Sequence, residues 1–251
     1  MPKVSVIIPV YGVEKYIEKC ARSLFEQTLD DIEYLFVDDC TPDKSVDILK
    51  QILEEYPHRK SQVVIHRMEQ NSGQAVVREW GVKNAKGDFI THCDSDDWVD
   101  TSMYLEMYET AVRENADVVI CDFVVTDSDT TNIRITACHA KTPEQFMENC
   151  LFQRDSWSLC NKFFRREIYY NIEYPQFSMG EDLATTTQLF LKVKKMYYIP
   201  KTFYYYYQNN NSTIHQTSEE VIVRKFHQLQ DNTNIVINHL EKSSRFAQII
   251  A

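Results

Sequence analysis

The chain is poor in glycine. Five of its 251 residues are glycine, at positions 12, 73, 81, 87 and 180, and neither GxxxxGK[ST] nor GxGxxG occurs. Without a glycine-rich phosphate loop, P-loop and dinucleotide-binding folds are excluded. The seven histidines show no HExxH, and the seven cysteines form no CxxC pair, so a zinc site is not expected. An odd set of thiols also argues against a disulfide framework; they read as reduced, mostly buried groups in the cytosol. The apolar stretch Val4–Val10 is short and soon followed by Glu14 and Lys15, unlike a secretory signal. No run approaches the roughly 18 apolar residues that a bilayer span needs. A basic excess is missing too: 27 Lys and Arg face 37 Asp and Glu, a net charge of −10. General nucleic-acid binding is thereby excluded, because a basic footprint supplies most of that affinity. A small anionic ligand requires a metal or a few placed cations to offset the repulsion.

What is present is an ordinary globular balance, 43% apolar and 25% charged residues. A chain of this size buries roughly 70–75% of the surface its unfolded form exposes. Residues 4–8 (VSVII) are a β-rich apolar run stopped by Pro9. Ile17, Cys20, Ala21 and Leu24 then recur with helical period. The alternation continues with a strand at 34–37, a helix through Leu49, Ile52, Leu53 and Tyr56, and a strand at 63–65. A helix from Gly73 to Lys86, a strand at 89–93, a helix through Tyr104, Met107, Tyr108 and Ala111, and a strand at 117–125 follow. Strands spaced by such helices imply right-handed βαβ crossovers and a mostly parallel sheet. Ligands collect outside the carboxyl ends of strands in such sheets. Three clusters fall there: Pro9-Val10-Tyr11, Asp38-Asp39 and Asp94-Ser95-Asp96-Asp97.

Beyond about residue 126 the pattern loosens. Residues 128–136 suggest a turn into a short hairpin. Thr142-Pro143-Glu144 has the cap-then-proline order of a helix start, and 181–195 reads as a helix. Met196 to Gln208 is an aromatic-rich strand region broken at Pro200. A last helix over 219–242 places Ile222, Phe226, Leu229 and Leu240 on one face, for which core packing is the preferred reading over a membrane or a second subunit.

Three carboxylates within four residues at a strand end repel one another unless a cation or donors sit among them. Hard oxygen ligands select Mg²⁺ or Mn²⁺; a solvated acidic turn capping the following helix is the plainer alternative. Asn71-Ser72-Gly73 permits a tight helix entry, and Arg78 lies beyond its first turn. Its guanidinium fits a phosphate or the acidic cluster, with an ordinary ion pair to Glu69 or Glu79 as the alternative.

Taken in order, residues 6–11 (VIIPVY), Val37-Asp38-Asp39, Asn71-x-Gly73-x₄-Arg78, Asp94–Asp97 and Gly180-Glu181-Asp182 resemble the family 2 glycosyltransferases of the GT-A fold. The resemblance implies an α/β GT-A architecture: a Rossmann-like sheet flanked by helices with a smaller acceptor-side α+β region. Residues 1–125 would form the nucleotide-sugar-binding half and 126–251 the acceptor half, within one continuous domain. It implies an inverting transferase using a nucleoside diphosphate sugar, with UDP as the nucleotide, and Mn²⁺ or Mg²⁺. The acceptor would be a hydroxyl of a carbohydrate or lipid-linked glycan, as in surface polysaccharide synthesis. The family pattern puts Pro9, Val10, Tyr11, Asp38, Asp39, Asn71, Gly73, Arg78, Asp94 and Ser95 on the nucleotide and Asp96 on the metal. Asp182 corresponds to the general base. Glu181, Trp157, Lys162, Tyr207 and His215 are candidates for the acceptor or diphosphate side.

The sequence departs from the pattern where Val77-Arg78-Glu79 replaces the usual Ala-Arg-Asn. Thr101 stands where a proline is common, and Gln208 follows Tyr207 where the family often has arginine. His215 or Lys162 is then a substitute cation for the diphosphate. Tyr204 to Tyr207 present either stacking rings or core on one side, and Trp157 either packs or meets an acceptor. Two other classes stay open: a metal-dependent nucleotidyltransferase, and a non-catalytic sugar-nucleotide-binding GT-A domain. A cytoplasmic location, a peripheral position at the inner membrane face and a homodimer are compatible with these expectations.

Overall fold

A computed structural model describes residues 1–127, 132–208 and 218–246. Its strands form one mixed sheet. The N-terminal strands are β1 (Val4–Val10), β2 (Ile32–Asp38), β3 (Val63–Arg67) and β4 (Phe89–His92). β1 lies between β2 and β4, β3 flanks β2, and all three pairings are parallel. The residues of β1 are buried on both faces apart from half-buried Pro9, as a continuous β-branched run at the centre of a parallel sheet should be. Val4, Val6 and Ile8 join one core, while Ile7 joins the other.

The first core is closed by α1 (Ile17–Phe25), α2 (Ser45–Glu55) and α4 (Met103–Glu114). The second is closed by α3 (Gln74–Asn84), α5 (Pro143–Leu151), α6 (Glu181–Lys192) and the end of α7 (Glu219–Glu241). α3 sits so close to β1 that a Cβ on Gly81 would strike the side chain of Ile7; glycine is what lets this helix lie flat on the sheet.

The remaining strands are β5 (Trp98–Val99), β6 (Val118–Thr126), β7 (Asn132–Ile135), β8 (Lys162–Arg165) and β9 (Met196–Tyr207). The strand order is β3-β2-β1-β4-β8-β6-β9-β5, with β7 on β6. β8 runs antiparallel to both β4 and β6, and β9 parallel to β6. The expected α/β architecture holds. The short hairpin is seen as the antiparallel β6–β7 pair, its connecting residues 128–131 lying outside the described ones. Thr142 accepts a hydrogen bond from the Gln145 amide and Pro143 occupies the first turn of α5, the cap expected from sequence. β9 continues past Pro200 through an irregular register against Cys121, Asp122 and Phe123. A bulge accommodates a proline that cannot donate to the ladder.

Two elements escape the sequence pattern. β8 and β5 are too short to display a period, yet β8 joins the two parts of the sheet. The last helix also departs from expectation. Val236 and Leu240 are buried, whereas Ile222, Val223, Phe226, Leu229 and Ile237 are exposed, Phe226 at 63%. Core packing thus holds for the C-terminal half of α7 only, because α6 is shorter than α7 and covers no more than part of its length. No described helix is long and apolar enough to cross a membrane.

Candidate active site

The parallel register aligns Val10 with Asp38 and Ile7 with His92. Tyr11, Asp39 and Asp94 therefore emerge along one edge of the sheet. Pro9 and Val10 are packed into that edge, while Tyr11 is 52% exposed just beyond it. Asp39 is bound to the loop before α3. Its two carboxylate oxygens accept the amides of Ser72 (2.7 Å) and Gly73 (2.8 Å), and Asn71 Nδ2 donates to its carbonyl. A carboxylate offers roughly four acceptor positions, so these bonds leave room for a ligand donor. Gly73 holds φ at +85°, a conformation that other residues seldom adopt, and α3 starts at the next residue. Asp38 is committed differently, to the Thr41 amide and to Arg67 Nη1 at 2.6 Å.

Arg78 is the centre of the arrangement. It projects from the second turn of α3 and is almost wholly buried. Nη2 donates to Asp94 Oδ1 at 2.6 Å; Nη1 donates to Asp182 Oδ1 at 2.5 Å and to Glu181 Oε1. Gln74 Nε2 adds a second donor to Asp94 Oδ1 at 3.0 Å. The arginine thus links a strand end 16 residues away to a helix start 104 residues away. The two acids at the start of α6 face different surroundings. Asp182 keeps 35% of its side chain exposed, Glu181 6%. Burial pushes the Glu181 carboxyl up to about 8, against the attraction of Arg78 and helped by Asp182 and Asp94. Burial thus favours the neutral form of Glu181, whose Oε1 accepts from Arg78.

The acidic strand end is divided in the same way. Asp97 is buried and turned inward, where Tyr204 Oη donates to it at 2.5 Å and the Tyr207 amide at 2.7 Å. The Asp94 amide in turn donates to Tyr204 Oη. Burial, then the charges of Asp96 and Asp94, raise the Asp97 carboxyl well above the usual range. Ser95 is buried between them, while Asp94 and Asp96 remain half-buried.

The acceptor-side candidates separate. Trp157 packs edge-on against Phe146 beside the second core, and Thr186 Oγ1 donates to its carbonyl, so the packing reading holds for its ring. Lys162 does not lie at a surface where a diphosphate could reach it. It is fully buried, with Nζ donating to the carbonyls of Ser156 (2.7 Å) and Ser158 (2.6 Å) and to Asn161 Oδ1 (3.1 Å). Tyr204 takes the core side of the tyrosine run. Tyr207 lies against Tyr16 and Trp98, and Trp98 is itself enclosed by Tyr205 and Lys19. His215 lies outside the described residues. Sequence reasoning missed Gln74, Tyr204 as a ligand of the acidic turn, and Asn232, whose Nδ2 donates to the carbonyls of Phe177 and Met179 just before α6. None belongs to a motif; their partners are brought to them by the fold.

The family model for glycosyl transferase family 2 matches residues 5–173. The chain belongs to that family. Among family 2 relatives, the Bacillus subtilis glycosyltransferase EpsJ is 34% identical over 176 residues, 67% of this chain and 49% of EpsJ. The poly(ribitol-phosphate) beta-glucosyltransferase of Bacillus spizizenii is 36% identical over 120 residues, 47% of this chain and 18% of that protein. The chain spans about half the length of EpsJ and under a fifth of the poly(ribitol-phosphate) relative. In fold it resembles Staphylococcus aureus TarS, solved with UDP, with a TM-score of 0.74 at 22% identity over 99% of this chain and 70% of the TarS fragment.

The donor set suits the metal that this fold family implies. Among the described residues no three His, Cys, Asp or Glu side chains form a metal-holding group. Mg²⁺ and Mn²⁺ do not need one, since Mg²⁺ is typically held by one or two carboxylates, with substrate phosphates and water completing the shell. Burial first, and then the charges of Asp96 and Asp94, raise the Asp97 carboxyl; a cation at this turn would offset the second of these.

Proposed function

We propose that the chain carries the catalytic module of an inverting glycosyltransferase. It moves a sugar from a nucleoside diphosphate, UDP, to a hydroxyl of a cell-surface glycan. The observation that carries this reading is the Arg78 bridge, which joins Asp94, read as donor-side, to Asp182, read as acceptor-side. UDP is favoured because TarS, which shares the fold, was solved with UDP. A surface glycan is favoured by the name of the poly(ribitol-phosphate) relative.

In this scheme the nucleotide lies along the carboxyl edge of β1, β2 and β4. Pro9 and Tyr11 cover the base and ribose, Asp39 accepts from the base, and Asp94 from the ribose. Asp96 would hold Mg²⁺ or Mn²⁺, which would supply charge to neutralise the diphosphate and make it a better leaving group. Arg78 supplies the fixed cation beside it. Asp182, the more exposed of the α6 acids, takes the proton of the acceptor hydroxyl as its oxygen attacks the anomeric carbon. The bond to the diphosphate breaks on the opposite face. A single displacement of this kind inverts the anomeric centre. Glu181, protonated and buried, is the wrong group for a base at neutral pH and leaves that task to its neighbour.

The test is release of UDP from UDP-sugars in the presence of Mn²⁺. Asp182→Asn should keep donor binding and lose roughly 10²–10⁴ in turnover. Asp96→Ala should lose metal-dependent donor binding itself. Undiminished turnover in Asp182→Asn would overturn the assignment of the base.

A further inference from the structure

Lys162 is a fully buried ammonium that the proposed reaction does not use. Taking such a charge from water is costly unless its protons are all placed. Here they are: Nζ has three acceptors, the carbonyls of Ser156 and Ser158 and Asn161 Oδ1, and the face of Phe146 lies 5.4 Å away. Three acceptors require three protons, so the geometry selects the charged form. Burial works against it and lowers the ammonium's pKa, while the carboxylate of Asp182 opposes that drop.

The segment held by this ammonium is the one that faces the start of α6. The Leu159 amide points at Asp182 Oδ2 at 3.4 Å, and Thr186 Oγ1, one turn further along α6, donates to the Trp157 carbonyl at 2.8 Å. The loop over 156–159 is therefore fixed from below by Lys162 and from the side by α6. Asp182 is oriented at both oxygens, by Arg78 on Oδ1 and by Leu159 on Oδ2. A carboxylate that must receive a proton from a bound hydroxyl depends on such placement, since small misalignments cost rate steeply.

We propose that Lys162 is a positioning residue for Asp182, acting through the 156–159 loop whose backbone it clamps. This rests on the reading of Asp182 as the base. Its effect belongs to turnover and not to donor binding, because no contact of Lys162 reaches the edge of β1 and β2.

The experiment compares Lys162→Met, Thr186→Val and Asp182→Asn in the full chain, with UDP affinity, kcat, acceptor KM and a pH–rate profile measured for each. Lys162→Met should bind UDP and Mn²⁺ within about twofold of the parent and lose roughly 10- to 100-fold in kcat. Its acid limb should move to higher pH as a cation near the base is removed. The charged groups Arg78 and Asp94 and the buried acid Glu181 around Asp182 are unchanged in this variant, and burial keeps the thiols of Cys121, Cys138, Cys150 and Cys160 neutral. Thr186→Val leaves the ammonium in place and removes the second hold on the loop. It should lower kcat severalfold with no shift of the limb, and it serves if Lys162→Met fails to fold. Parental kcat in a folded Lys162→Met, or in Thr186→Val, overturns the proposal provided that Asp182→Asn is inactive. If Asp182→Asn is active, the reading of the base fails instead, and the two failures are told apart.

Discussion

The two sides of the proposed site, donor and acceptor, are built by different means. On the donor side, site residues are continuations of the strands that precede them. Tyr11 follows β1, Asp39 follows β2 and Asp94 lies two residues past β4, and the main chain itself bonds them: the Asp39 amide to the Val10 carbonyl, the Cys93 amide to the Ile7 carbonyl. On the acceptor side, the start of α6 is placed by side chains reaching from elsewhere: Arg78 from α3, Asn232 from α7 and the 156–159 loop under Lys162. A sheet edge is a rigid support to which ties such as Gln74 and Tyr204 are added, whereas a helix start between loops is only as fixed as the polar groups that hold it. Substitutions should then act on donor geometry weakly and on acceptor geometry strongly, except at Arg78, which serves both.

Arg78→Ala tests that exception and carries the largest expected effect. Removing one partner of a buried ion network leaves uncompensated charge, costing about 3–5 kcal/mol. Here the groups left are Asp94, half-buried, and Asp182, with Glu181 neutral, so the lower end is expected. Urea denaturation should show it, and turnover should be lost together with tight UDP binding. Arg78→Lys should recover stability in part but not the bridge, since an ammonium lacks the planar fork that spans the two sides. A variant that lost turnover yet bound UDP normally would confine Arg78 to the acceptor side.

Tyr204→Phe sharpens the comparison from the opposite wall. The hydroxyl is the inward partner of Asp97 and accepts from the Asp94 amide. Its removal should cost about 1–3 kcal/mol and loosen the acidic turn, weakening Mn²⁺-dependent UDP binding while metal-free binding changes little. Equal loss with and without metal would show that the turn is held by β9 packing instead.

This division also explains what the sequence made legible. The strand ends Pro9-Val10-Tyr11, Asp38-Asp39 and Asp94–Asp97 could be found because one stretch of chain encodes both the apolar strand and the polar end. That Arg78 meets the acidic residues followed from charge complementarity alone, but its choice of Asp94, Glu181 and Asp182 over Glu79 required the fold. Lys162 read as a ligand cation because nothing local separates a buried lysine from an exposed one. Its acceptors are carbonyls at 156 and 158, which carry no sequence signature. β8 was illegible for a related reason: four residues, Lys162–Arg165, are too few to show alternation, and their place between β4 and β6 is a property of the sheet. The exposed half of α7 has the same apolar spacing as its buried half, since periodicity records a face and not what covers it.

A dependence on pH separates the two neighbours at the start of α6. Glu181 is pushed up to about 8 from an ordinary value of 4.5, chiefly by burial. A raised acid is neutral in the folded chain while the unfolded chain releases its proton, so stability is full below 4.5 and declines as pH rises toward 8. The slope from one such group is at most about 1.4 kcal/mol per pH unit. Nearby His92, buried and held well below its usual 6.5 by burial and then by Arg78, contributes the opposite sign below that pH. The measurement is therefore a difference between two proteins. Glu181→Gln keeps the shape and the acceptor for Arg78 but has no proton to lose, so its stability should fall less than the parent's between pH 4.5 and 8. His92 and the other carboxylates cancel in that difference. Parallel stability curves would mean that Glu181 is ionised in the folded chain, and Arg78 would then face three charges, Asp94 on one side and both acids of α6 on the other, not two.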